Sequence, residues 1–126
     1  MTKKMLLVIR IIVALILIQT LRFKFTAHPD SVYIFTKVGL EPIGRIAIGI
    51  IELIAAILLL FRKTIWLGSG LTLGIIGGAI SMHLTQLGIE INGDGGTLFY
   101  QAVFTFVLSA VLCWFYRKDI PFLNLP

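Results

Sequence analysis

Four long apolar runs, three of them flanked at one end by a pair of basic residues, constrain this chain more than anything else in it. They cover residues 5–25, 43–61, 65–87 and 97–116. About 20 apolar residues is the length an α-helix needs to cross the roughly 30 Å hydrocarbon core of a bilayer. The chain has 126 residues, of which 58% are hydrophobic and 13% charged. A soluble domain this short cannot hide so much apolar surface, because small domains have too much surface for their volume. Lipid is the natural solvent for the excess. The sequence therefore predicts a single all-α domain over residues 1–126, an integral membrane four-helix bundle.

The flanks of the runs set their boundaries. The first follows Lys3 and Lys4. It is too long for the core of a signal peptide, and Phe25-Thr26-Ala27 lacks a small residue at the usual −3 position of a cleavage site, so it reads as a retained span. Glu41-Pro42 precedes the second run, where proline suits the first helical turn and a carboxylate faces the positive end of the helix dipole. Arg62 and Lys63 end it, and the connection to the third run is short enough to make those two helices an antiparallel hairpin. The fourth ends at Arg117 and Lys118. Lys3, Lys4, Arg10, Arg62, Lys63, Arg117 and Lys118 fall at one level, against Arg22, Lys24, Lys37 and Arg45 at the other. The positive-inside bias then places both termini in the cytoplasm. Trp66 and Trp114 fall at the same inner interface, as an aromatic belt requires.

The first outer loop, residues 26–40, is not plain linker. Asp30 or Ser31 caps a short interfacial helix in this reading, with Val32, Phe35 and Val38 on one face and Gly39 as its stop. That helix lies as a lid over the bundle. The second outer loop contains Asn92-Gly93-Asp94-Gly95-Gly96, which must turn sharply. Gly70, Gly74 and Gly78 recur at four-residue spacing on the third run, so the expectation is close helix packing through that face, within the chain or against a second copy.

Several functions are excluded early. The net charge of +5 does not mark a nucleic-acid binder, because the basic residues sit at run ends and form no groove or stripe. Cys113 is the single cysteine, so internal disulfide exchange is impossible. Glu90, Asn92, Asp94 and Gln101 sit at calcium-loop spacing, but the first position is Glu, the last is Gln, and the last falls inside a span. His28 and His83 have no further ligand pattern, so no metal site is expected. No nucleophile triad, phosphate-binding loop or dinucleotide fingerprint is present.

What remains is a set of polar residues inside apolar runs, where each needs a reason. Glu52 lies near the middle of the second run. Arg45 is seven residues earlier, on nearly the same helix face. His83, Gln86 and Glu90 share one face of the third. Thr20 and Lys24 are one turn apart on the first, and Gln101, Thr105 and Ser109 form a stripe on the fourth with Asp94 above them. Counted at about 1.5 Å per residue from the inner ends, Lys24, Arg45 and His83 fall near one level, roughly 24–28 Å up. Glu52 is deeper, and the inner half has little polar character apart from Arg10, which can snorkel. This one-sided distribution describes a polar pocket open to the outside with a buried acid below it. Its candidate lining is Lys24, Arg45, Glu52, His83, Gln86, Gln101 and Asp94.

These residues resemble, in combination and order, the DoxX-like family of small four-helix membrane proteins. The resemblance spans nearly the whole chain. It rests on Leu21-Arg22-Phe23-Lys24-Phe25, on Gly44-Arg45 followed by Gly49-Ile50-Ile51-Glu52-Leu53, on Gly78-Ala79 with His83-Leu84, and on Leu87-Gly88-Ile89-Glu90 with Asp94-Gly95-Gly96. It implies Lys24, Glu52 and His83 as the polar centre and the bacterial inner membrane as the location. Some members are associated with quinone-linked sulfur oxidation or redox complexes, and others look like membrane chaperones. The branch with membrane redox cysteines does not fit a chain with Cys113 alone.

The resulting expectation is a non-catalytic binding or accessory subunit of an envelope redox or assembly complex. It touches the lipid bilayer and either a membrane-protein partner or a second copy of itself. A quinone-linked oxidoreductase component is the alternative, as is a small transporter or proton path using Glu52. No cofactor site is evident in the residues themselves, although the resemblance allows a quinone.

Overall fold

The computed structural model describes residues 2–121. Every regular element within them is helical: α1 is Lys3–Phe25, α2 Pro29–Lys37, α3 Ile43–Leu59, α4 Ile65–Met82 and α5 Thr97–Phe115. A 3-10 turn, Arg62–Thr64, leads into α4, and a π-helical turn, His83–Leu87, extends it. Three helical stretches are long and apolar enough to cross a membrane: α1, α5, and the run Arg62–Leu87 that contains α4. α3 has 17 residues. It stops at Leu59 rather than at Phe61, because Leu60 and Phe61 already turn into the 3-10 connection.

α1, α3, α4 and α5 stand side by side in that order and close into a ring, with the α5–α1 seam the thinnest. Gln101 Nε2 donates to Gln19 Oε1 across that seam at 2.8 Å. The two ends of the bundle differ. At the end where α1 begins and α5 finishes, Leu6, Val13, Leu17, Leu59, Ile65 and Leu112 form a closed apolar cluster, in which dispersion between side chains is collectively large. Polar groups seal its rim. Arg10 Nε donates to the Leu59 carbonyl at 2.9 Å, satisfying an orphan acceptor at the end of α3. Arg62 pairs with Asp119 and lies over the Tyr116 ring, and the Arg117 guanidinium sits 3.8 Å above Trp114.

The opposite, loop end is covered by α2. His28 caps this helix, its Nδ1 accepting from the Asp30 N–H at 3.1 Å, and Pro29 occupies the first turn. Asp30 and Ser31, the residues expected to cap, lie inside the helix instead; Ser31 is fully buried. Proline explains the shift, since it favours the first helical position and pushes the cap one residue back. Gly39, at φ +79°, ends the element as expected. Asn92 Nδ2 donates to Asp30 Oδ1 at 2.7 Å, tying α2 to the turn before α5.

The glycines of α4 do not pack as their spacing suggests. A Cβ added at Gly70, Gly74 or Gly78 would meet no atom within 4 Å. The close approach is at Gly68, where a Cβ would stand 3.0 Å from the Ala55 carbonyl oxygen and 3.0 Å from the Leu59 nitrogen. Gly49 of α3 plays the same part toward α1, where an added Cβ would stand 2.7 Å from the Phe25 ring. So α3 lies tight on α4 at Gly68, near the start of α4, and tight on α1 at Gly49, near the loops.

Candidate ligand-binding cavity

That crossing leaves the loop-end half unfilled. A cavity of about 300 Å³ lies there, at the small end of ligand pockets, which are mostly apolar with a few placed polar groups. α2 roofs it with Ile34, Phe35 and Val38, and α1, α3, α4 and α5 all contribute walls. The polar lining consists of Thr20, Lys24, Glu52, His83, Gln101 and Thr105.

α1 presents Thr20 and Lys24 on one face because they are one turn apart. Both reach Glu52. Lys24 Nζ is 3.0 Å from Glu52 Oε1 and 3.3 Å from Oε2. Thr20 Oγ1 is 2.7 Å from Oε2 and 2.8 Å from the Leu17 carbonyl, so its one hydrogen serves either acceptor. The Glu52 side chain is 2% exposed and that of Lys24 12%. A carboxylate this buried needs a cation and hydrogen bonds to stay charged, and it has both.

His83 begins the π-helical turn and is itself buried. Its Nδ1 lies 2.9 Å from the Gly88 carbonyl, which Gly88 can offer because φ of +80° bends the chain back. A carbonyl only accepts, so Nδ1 carries the hydrogen, and Nε2 of the neutral ring is an acceptor. Nε2 has no hydrogen-bond partner among the described residues. The Phe99 ring meets the imidazole edge-on, with centroids 5.5 Å apart, and limits its rotation. On α5, the Thr105 hydroxyl donates to the Gln101 carbonyl at 2.8 Å.

The structure thus brings Lys24, Glu52, His83 and Gln101 to one cavity. The other candidates lie elsewhere. Arg45 is buried but does not line the cavity; it pairs with Glu41 at 2.9 Å and donates to the Lys24 carbonyl. Seven helical residues span roughly 10 Å along the axis, too far for Glu52, so Arg45 takes the acid one turn before it. Gln86 is exposed. The wider π turn advances less per residue than an α-helix and carries Gln86 off the His83 face. Asp94 is a turn residue that caps α5: it accepts from the N–H groups of Ile91 at 3.0 Å, Gly96 at 2.7 Å and Leu98 at 3.4 Å. Desolvation pushes its carboxyl up, but these backbone donors and Thr97 outweigh that, and its pKa lies below the usual carboxylate value.

Two further sets of residues matter beyond the polar candidates. Ile34 and Phe35 form the roof, and Gly74 and Gly78 form part of the wall. The roof is signalled in the sequence by the apolar face of residues 32–38. The glycine wall carries no such signal, because the same spacing serves close packing. Comparison with family models, with curated proteins and with solved structures finds no match for this chain.

Proposed function

We propose that this is a DoxX-like protein crossing the bacterial inner membrane four times, α3 included, and that it is a non-catalytic binding subunit holding a small amphiphile in the loop-end cavity. The observation that carries the reading is the cavity itself: apolar walls around one neutralised ion pair and one histidine with a spare acceptor. Membrane insertion is supported by the outward faces. Leu15 on α1, Ile43 and Ile57 on α3, and Phe104 and Val107 on α5 are all exposed, and such a belt is stable only against lipid or protein.

Binding is favoured over transport because the Leu17, Leu59, Ile65 and Leu112 cluster closes the bundle below Glu52. A proton or solute reaching Glu52 meets a packed apolar plug. The quinone allowed by the resemblance fits in size class but less well in polarity, since its carbonyls only accept and so does His83 Nε2.

Gently extracted protein is expected to carry a bound neutral amphiphile in native mass spectrometry, and His83→Phe to lose most of it. Recovery of ligand-free wild-type protein alone would defeat the binding reading. Topology is checked separately in a Cys113→Ala background. A cysteine at Asn92 should react from outside intact cells, and one at Lys118 only after permeabilisation. Outside labelling of the Lys118 site would reverse the proposed orientation.

A further inference from the structure

We infer that the cavity is reached sideways from the bilayer, through a gap between α3 and α4 edged by Gly74 and Gly78, and that its ligand is an uncharged amphiphile whose polar end carries a hydroxyl. This deepens the binding reading above and rests on it.

The position of the gap follows from three places along α4. At Gly68, α3 and α4 touch so closely that a Cβ would stand 3.0 Å from two backbone atoms. At Gly74 and one turn later at Gly78, roughly a quarter to a third of a turn round the helix from Gly68, a Cβ would meet nothing within 4 Å, and Ile75, Ala79 and Met82, on the Gly68 side of α4, line the cavity with Ile48 and Glu52 of α3. At this end α3 packs closely on α1 through Gly49 and Phe25. Gly74 and Gly78 both belong to the cavity wall, and with Leu40 they are the exposed members of it. They lie within the long apolar stretch Arg62–Leu87, away from its ends. The loop end is covered by α2 and stitched to the next turn by Asn92 and Asp30. An opening at this level faces acyl chains, so the ligand comes from the bilayer.

The polar end of the ligand follows from the hydrogen-bond inventory. Lys24 and Glu52 cancel each other's charge at 3.0 Å, so a charged head group would find no unpaired counter-ion. His83 Nε2 is an acceptor without a partner among the described residues, on a side chain more than nine-tenths buried. A hydroxyl satisfies it, and an ether or ester oxygen does not. Both glycines adopt helical backbone and leave room for a side chain, so bulk can be added at the gap without disturbing the fold.

The test uses full-length protein in lipid nanodiscs and a twelve-carbon primary alcohol with a diazirine at the far end of its chain. Wild-type protein should be cross-linked on α4 near Gly74–Ala79, where the tail leaves the gap. Cross-links on α2 instead would place the tail under the roof and overturn the sideways route. Gly74→Phe with Gly78→Phe should reduce early labelling about tenfold, while Ile54→Phe on the exposed face of α3 leaves it unchanged; equal labelling of the glycine variant also overturns the route. The methyl ether of the same probe should label about tenfold less than the alcohol, and equal labelling would overturn the hydroxyl assignment. If no amphiphile labels the wild-type cavity at all, the binding reading fails with it.

Discussion

Glu52→Gln is expected to lower the stability of the detergent-extracted protein by about 3 kcal/mol, and adding Lys24→Met to restore most of it. The two charges stand 3.0 Å apart with side chains 2% and 12% exposed. Removing one charge from a desolvated pair leaves the other buried without a counter-charge, which costs about 3–5 kcal/mol, whereas replacing the cation as well is often nearly neutral. Lys24 has no second acid in the cavity to turn to, since Glu41 is held by Arg45 through two contacts of 2.9 and 3.0 Å. Thr20 would still donate to the amide oxygen that replaces the carboxylate, so the loss reports charge rather than a missing hydrogen bond. A thermal and denaturant series on the two variants decides the matter. A single variant as stable as wild type would mean that Lys24 reaches water and that the pair is not desolvated. Because the rescue concerns stability alone, ligand retention in the double variant then separates a structural pair from one that also holds ligand.

Gly68→Leu should be the most damaging glycine substitution in α4, and Gly74→Leu among the mildest. At Gly68 the new side chain would drive into the Ala55 carbonyl and the Leu59 nitrogen, each 3.0 Å from its Cβ, and backbone there cannot rotate away. Overpacking of this kind costs about 1–3 kcal/mol, more where backbone must move. It would also prise α4, with Ile65, from Leu59 and the apolar cluster around it. At Gly74 the same side chain meets nothing within 4 Å, and it replaces glycine with a better helix former. Melting curves of the two variants should therefore separate widely. A large loss for Gly74→Leu would show that this face is occupied, for instance by a second copy of the chain.

The two expectations differ in what the sequence could say about them. That Glu52 needs a partner was legible, because a carboxylate in the middle of an apolar run must find a cation, but the residues alone left Lys24 and Arg45 both open. Their helices, and the short one over the loop end, were legible too, since run length, basic flanks and Gly39 fix them locally. His83 was legible as a polar residue at the height of Lys24. The glycine spacing was legible only as a choice between uses: the same three residues can admit a neighbouring helix or leave a gap.

The sequence by itself determined the elements and their order, and the approximate height of each polar residue along its helix, because these follow from the apolar runs and from helical rise. It did not determine rotation or lean. Arg45 and Glu52 share a face on paper, yet Arg45 turns to Glu41 because the axial separation outruns the side chains. Gln86 shares a face with His83 only while the helix stays α, and the π turn ends that agreement. The tertiary structure alone decided that α3 crosses α4 closely only at Gly68 and packs on α1 through Gly49, since that rests on each glycine accepting a different neighbour. The cavity, its roof and the open edge at Gly74 and Gly78 all follow from that crossing: two helices in contact at one end and splayed at the other must enclose space between them.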